Sequence, residues 1–433
     1  MKLPSEWEMK TLGELGTCHI GLTYKPDNVV PEGGTLVLRS SNIQQSRLVF
    51  DDNVFVNMDV PSKLKVCYGD ILICVRNGSR SLIGKSAVIE QEHAIENLTF
   101  GAFMSVYRTD HHDYVRHLFH SDMYYRQIRN NLGATINQIT NKNLNNFTFP
   151  FPKSSAERNK ISEVLSTIDK KIDLIDQKIA ETEKLKTGLM QKLFSEGVGV
   201  QDENGNWQPH TEFRTTSIGQ VPKTWQDAQI GDYVSELVSG VSVNSYDKQK
   251  TENEIGVLKT SAVIGGNFYP EFHKTVKPED IARAKTTVKE NTLVISRMNT
   301  PSLVGEFGYV SKDYNDLYLP DRLWMTVPTS KPHDVKALSY LMQHYPVKKS
   351  IKELATGTSN SMKNISKGKF LAVYVPHIPY EEQMMIREIL STVDIKLELL
   401  NKQKAETQQL KKGLMQKLLT GEWRVPVEET EAA

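Results

Sequence analysis

The stretch LKTGLMQKLF at residues 185–194 returns as LKKGLMQKLL at residues 410–419. No other feature of the chain limits its fold so strongly. The offset is 225 residues in a chain of 433, and the thirty-residue windows 165–194 and 390–419 agree at seventeen positions. The chain is a tandem duplication. Whatever it folds into must be built twice, and its function must lie in what the two copies share and where they differ.

The repeated windows read as helices. In the first, Ile161, Leu165, Ile168, Ile172, Ile175, Ile179 and Thr182 fall at alternating steps of four and three, the seam of a coiled coil. Ile386, Leu390, Val393, Leu397 and Leu400 keep that register in the second, until Lys404 and Thr407 soften it. From Glu157 to Phe194 such a helix runs about 57 Å at about 1.5 Å per residue. Gly188 and Gly413 interrupt both copies at the same place, each at roughly 1 kcal/mol relative to alanine. A close approach of another backbone and a simple kink both fit. Each helix follows a proline-punctuated strand, FTFPFP or LAVYVPHIP, and begins in a Glu-bearing stretch suited to the helix dipole.

The rest, 1–152 and 221–379, reads as two diverged copies of one α+β domain. Both open with Pro-x-x-Trp (LPSEW, VPKTW). Both continue through LRSSNI or LKTSAV and strands such as DILICV and NTLVIS, and both carry a helical stretch leading to a glycine turn. The expected order is domain 1–152, helix 153–197, a Gly/Asn/Thr-rich linker 198–220, domain 221–379, helix 380–420 and a tail 421–433. With 39% hydrophobic and 24% charged residues the chain reads as an ordinary globular protein. No apolar run approaches the roughly 18 residues of a membrane span, and the opening lacks the order of a signal peptide. Cys18, Cys67 and Cys74 form no CxxC pair, which suits the cytoplasm. Net charge is +1, so composition does not announce nucleic-acid binding.

The two GLMQKL helices, the P-x-P…E-(R/Q) approaches to them, the TEFRTTSIGQVPKTW joint and the two Pro-x-x-Trp openings occur in one order at a 225-residue period. In this the chain resembles the specificity subunit of type I restriction–modification systems along nearly its whole length. The resemblance implies two target recognition domains, each reading half of a bipartite site in double-stranded DNA. It also implies two helices that pair antiparallel as a spacer with pseudo-twofold symmetry and dock two adenine methyltransferase subunits. Through these the translocase-nuclease subunits join, with S-adenosylmethionine, ATP and Mg²⁺ used by the partners and no cofactor in this chain. Candidates for helix pairing and docking are Leu165, Ile168, Ile172, Leu390, Val393 and Leu397, with Gly188, Leu189, Met190, Gly413, Leu414 and Met415. The start AERNK departs from the more usual EEQMM of the second helix. Physics supports the scheme: a dyad-related pair of readers needs half-sites about 34–36 Å apart, within reach of such helices.

The glycine turns are the first DNA candidates, through Thr135, Asn137 and Gln138 in one copy and Thr358, Asn360 and Lys363 in the other. Asn and Gln suit adenine and Lys suits guanine, although a tight turn before a core strand reads equally well. Arg39, Asn42, Arg76, Arg80, Lys259, Arg297 and Asn299 follow or end strands and are similar candidates. Lys348, Lys349 and Lys352 would touch phosphates or nothing. GSRSLIGKS (78–86) nearly spells a phosphate loop, but five residues separate Gly78 from Gly84 and a strand-like AVIEQ follows, so a loop between strands is expected. Asp113, His117 and His120 share a helix face and could hold a metal; a solvated or partner-facing surface is the better reading. Neither a methyltransferase signature nor a nuclease pattern occurs, which leaves catalysis to partners. The rival readings are a coiled-coil scaffold with two protein-binding end domains and, more remotely, an enzyme built on the near-phosphate loop around Lys85.

Overall fold

The computed structural model describes residues 3–94, 97–133, 137–357 and 362–426. It is a mixed α+β chain carrying two long helices, Ser155–Ser195 and Tyr380–Leu418. Contacts divide it into two compact units, Met1–Gln177 with Asn401–Ala433, and Lys178–Leu400. The division runs through both helices, so each unit holds a folded head, one end of one helix and the opposite end of the other.

In the first unit, the opening strand Trp7–Thr11 pairs antiparallel with Thr148–Pro152, the strand that feeds the first long helix. The head's main sheet orders Thr17–Ile20, Met104–Arg108, Ile71–Cys74 and Ser86–Val88, all antiparallel. A second sheet orders Leu98–Phe100, Thr35–Leu38, Phe55–Val56 and Val29–Val30. The stretch read as one helix is two, His112–Leu118 and Asp122–Asn131, with Ser121 capping the second.

The second unit repeats the plan. Gln226–Gln229 pairs with Tyr374–His377, the strand ahead of the second long helix. Val234–Ser239, Leu323–Pro328, Thr292–Ser296 and Phe307–Val310 follow the order of the first main sheet, and the hairpin Val263–Ile264/Gly266–Phe268 extends it. Val335–Gln343 and Tyr345–Glu353 match the helix pair. The segment read as a linker is instead built as two hairpins, Val200–Gln201/Trp207–Gln208 and Phe213–Thr216/Gly219–Pro222. Its Ile218 and Val221 enter the core.

The cores explain why the helix ends belong to the heads. Ile161, Leu165, Met415, Leu418 and Leu419 are buried with Trp7, Tyr114 and Phe151 in the first unit. Leu193, Phe194, Ile386 and Leu390 are buried with Trp225, Tyr340 and Phe370 in the second. Each junction is tied by a buried carboxylate at the same repeat position. Glu157 accepts from the Trp7 indole N–H (3.2 Å) and binds the Arg424 guanidinium. Glu382 accepts from the Trp225 indole (2.7 Å), from the amides of Val198 and Gly199 (2.7 and 3.2 Å), and meets His210 (3.1 Å). The departure AERNK therefore keeps the buried carboxylate of that turn, while buried Gln383 of the second helix is replaced by Arg158, which donates to the Pro152 and Lys153 carbonyls.

Along the seam, Leu165, Ile172, Leu390, Val393 and Thr407 are buried and Ile168 and Leu397 partly so. The softening residue Lys404 is used: it pairs with Asp176 at 2.6 Å, and Lys411 with Asp169 at 2.5 Å, in the first unit. Lys186 pairs with Asp394 at 2.7 Å in the second.

Candidate nucleic-acid interface

At the ends of the main-sheet strands, each head builds the same small frame of backbone bonds. In the first, the Val75 and Arg76 amides both donate to the Phe103 carbonyl (3.1 Å each), and the Ile139 amide donates to the Val75 carbonyl (2.8 Å). Arg76 pairs with Gln138 across the gap. In the second, the Arg297 amide donates to the Arg322 carbonyl (3.1 Å) and Ile365 to the Arg297 carbonyl (3.0 Å). Met298 pairs with Asn364, and Asn299 with Lys363. The frame equates Val75 with Arg297, Arg76 with Met298, Phe103 with Arg322, Asn137 with Lys363 and Gln138 with Asn364. The backbone is held alike while the side chains on it differ.

A glycine fixes the back of each frame. Gly84 (φ +84°) and Gly305 (φ +80°) lie in the left-handed region, and a Cβ on either would sit 2.9 Å from Ile128 or Ile351 of the head's helix. Glycine is thus required for conformation and for space. The near-phosphate loop is structural, since Gly84 leads into the strand Ser86–Val88 and the Lys85 ammonium donates to the Ser40 carbonyl (3.3 Å). Its counterpart is buried Glu306, which accepts from the Gly265 amide (2.8 Å). The two groups serve different neighbours, a turn carbonyl in the first head and a hairpin amide in the second. Burial works to raise the Glu306 carboxyl, but the Gly265 bond and the Lys348 and Lys352 ammoniums hold it below its ordinary value. Those two lysines lie 3.0 Å from Glu306 and are held by it, and Lys349 meets Glu353.

The candidates from sequence now have places. Asn77 binds the Ser40 hydroxyl (3.0 Å) and donates its amide to the Asn137 carbonyl (3.3 Å), while Asn137 donates to the Gly78 carbonyl (2.9 Å). Arg76, Asn137, Gln138 and exposed Arg80 therefore gather on one edge with the 39–42 turn. Arg39 there pairs with Asp52 at 2.7 Å. Asn42 is a correction: it is fully buried, accepting from the Arg39 amide (2.9 Å) and donating to the Val49 carbonyl (3.0 Å), and braces its turn. In the second head Arg297, Asn299 and Lys363 come together. Arg297 donates to the Asp321 carbonyl (2.7 Å), Asn299 to the Ser296 hydroxyl (3.1 Å) and Lys363 to the Gly357 carbonyl (2.6 Å). Lys259 is bound to Asp247 (3.1 Å), and no bond joins it to the frame among the described residues. Thr135, Thr358 and Asn360 lie outside the described residues. Sequence reasoning missed Phe103, 59% exposed, and exposed Arg322. Only the repeat's strand order, not a motif, could have pointed to them.

The acid–histidine face is also different from expectation. Asp113 is exposed, but His117 is buried against the first long helix, near Ser166 and Asp169. Among the described residues no cluster could hold a metal. Burial, then the Arg116, His120 and Lys411 charges, depresses His117 well below its ordinary value. Burial, then the Lys411 and Arg116 cations, pushes His120 down to about 3.

On the long helices, Gly188 and Gly413 are exposed and a Cβ on either would meet open space, so no backbone approaches them among the described residues and neither helix is broken there. Leu189, Met190 and Leu414 are partly buried and Met415 is buried in the first core. The outward apolar residues are Leu174, Leu185, Ile395, Leu399 and Leu410. Leu174 with Leu399 and Leu185 with Leu410 are mates under the 225-residue offset.

The comparisons agree on one family. The type I restriction modification DNA specificity domain matches at residues 4–184 and 222–409. The putative type I restriction enzyme MjaX specificity subunit of Methanocaldococcus jannaschii is 26% identical over 98% of this chain and 95% of its own length. The MjaVIII specificity subunit of the same organism is 27% identical over 68% of this chain and 66% of its own length. The crystal structure of a type I S subunit from M. genitalium superposes with a TM-score of 0.56 at 15% identity, covering 97% of this chain and 98% of that one, which shows a shared fold. No helix among the described residues is long and apolar enough to cross a membrane. The chain belongs to the type I restriction–modification specificity subunits, noncatalytic proteins of DNA recognition.

Proposed function

We propose that this chain reads an asymmetric, interrupted DNA site, one half with each head, and presents it to two adenine-N6 methyltransferase subunits. The observation that carries this reading is the duplicated frame with exchanged side chains, because equal backbones with unequal edges suit unequal half-sites. As the first helix advances from Asp169 to Asp176, its partner recedes from Lys411 to Lys404, the sense of an antiparallel spacer. The repeated outward leucines, with Leu185 and Leu410 each three residues before an open glycine, suit two copies of one partner that approaches closely. Methylation within a duplex requires the base to be flipped into the partner's pocket, so S-adenosylmethionine belongs to that subunit. ATP and Mg²⁺ belong to a translocase-nuclease joined through it. The setting is cytoplasmic.

The test is to co-express the chain with its methyltransferase and map N6-methyladenine genome-wide. The expected result is two different half-sites with methylated adenines on opposite strands about one turn, roughly 10 base pairs, apart. A continuous palindrome overturns the reading. Methyltransferase activity with no sequence preference would favour the scaffold alternative.

A further inference from the structure

Phe103 is 59% exposed, yet its backbone is bonded into the first head's edge. Its carbonyl takes the amides of both Val75 and Arg76, and the turn beneath it is closed by the Met104 amide on the Gly101 carbonyl (2.8 Å). The Arg76 guanidinium lies over its ring, 5.1 Å from the centroid. A largely solvent-facing aromatic ring on so fixed a backbone gains little from the head's own core. Its position in the second head is taken by Arg322, while Arg76 there becomes Met298. Cation and apolar group have changed places on one frame, as expected where two edges read different bases.

We infer that Phe103 is a specificity-determining residue of the first half-site, packing on the C5 methyl of a thymine. This rests on the DNA-reading proposal above. Apolar side chains read thymine through that methyl in the major groove. The alternative, a wedge between base steps, would put the ring between two bases, where the Arg76 guanidinium already occupies one of its faces. The covered ring keeps its edge and its other face, enough for a methyl group. The guanidinium above it has N–H donors directed along its plane, which suit a purine beside that thymine.

The test uses the chain assembled with its methyltransferase and duplexes carrying the mapped site, with deoxyuridine replacing each first-half thymine in turn. For the unaltered chain, one replacement should weaken binding about fourfold, the worth of one buried methyl group. Phe103→Ala should lose that discrimination and methylate sites degenerate at that one position, while the second half-site stays unchanged. Phe103→Leu, still apolar, should keep the thymine preference. A first half-site without thymine overturns the inference. So does Phe103→Ala with wild-type discrimination, or with equal loss on thymine and uracil as a wedge would give; in each of these the DNA-reading proposal still stands. Loss of all sequence preference in the unaltered complex overturns both.

Discussion

The two heads build the same small frame on main sheets of the same strand order, and they differ where the frame faces outward. Inside, each side chain is satisfied: Lys85 donates to the Ser40 carbonyl, Glu306 accepts from the Gly265 amide and pairs with Lys348 and Lys352, and the glycine behind the frame keeps both its φ and its isoleucine neighbour. Outside, Arg76, Phe103, Asn137 and Gln138 become Met298, Arg322, Lys363 and Asn364, so the cation and the apolar group of the first edge stand in exchanged places on the second. Every buried polar group needs a partner. Exchange of exposed side chains on a fixed frame fits a surface whose partners differ.

The largest expected effect breaks the junctions. Glu382→Ala strands the Trp225 indole, two backbone amides and His210 in the second core, and should cost about 3–5 kcal/mol. Glu157→Ala strands the Trp7 indole and Arg424, which half escapes to solvent, and should cost less, about 2–3 kcal/mol. Denaturant unfolding of the two variants checks the order; equal losses would mean that the tail binds as firmly as the hairpin segment 198–210.

The next separates the heads by pH. His117 and His120 in the first unit are held neutral, as is His344 in the second, pushed by burial to about 4. A histidine depressed below its unfolded value takes up its proton only on unfolding, so stability is full above about pH 6.5 and falls as the pH drops toward the folded value. At pH 5 the loss for His120 is up to about 2 kcal/mol. Melting between pH 7.5 and pH 5 should destabilise the first unit more than the second, and His120→Gln should flatten its slope. An unchanged slope would mean that other groups carry the acid sensitivity.

A smaller effect tests the hairpins. The second head turns through Gly265 and Gly266 (φ +59° and +82°), the first through Gln45 and Ser46 at φ +49° and +63°. Left-handed backbone disfavours a Cβ, so Ser46→Gly should stabilise the first head by at most about 1 kcal/mol, offset by the added freedom of the unfolded glycine. The adjoining Arg47 reaches Asp173 and Asp176 on the long helix. Destabilisation by Ser46→Gly would show that the constrained turn is needed to aim Arg47.

The architecture was legible because it is written in periodic and repeated signals. The seam from Ile161 to Ile179 marks a buried helix face by spacing alone, and the two Pro-x-x-Trp openings mark the strands that pair ahead of each helix. The linker was misread because its glycines and asparagines signal turns equally well in hairpins, and only tertiary contact decides that Ile218 and Val221 are core. Asn42 looked like a reader because polarity at a strand end is common to reading groups and turn braces. Phe103 and Arg322 carried no local mark at all: each is defined by a carbonyl that accepts a bond from a strand distant in sequence. His117 and the lysines around Glu306 show the same limit, since the partners that claim them lie on other elements.

The most direct test of the central claim is exchange of a whole head. Replacing residues 1–152 by the corresponding head of another specificity subunit, with both long helices kept, leaves the second frame and the helix seam untouched. Methylation mapping of that hybrid with the same methyltransferase should show one half-site replaced and the other retained, at an unchanged separation. If both halves changed together, or the retained head no longer chose its bases, the account of two independent readers on one repeated frame would be contradicted.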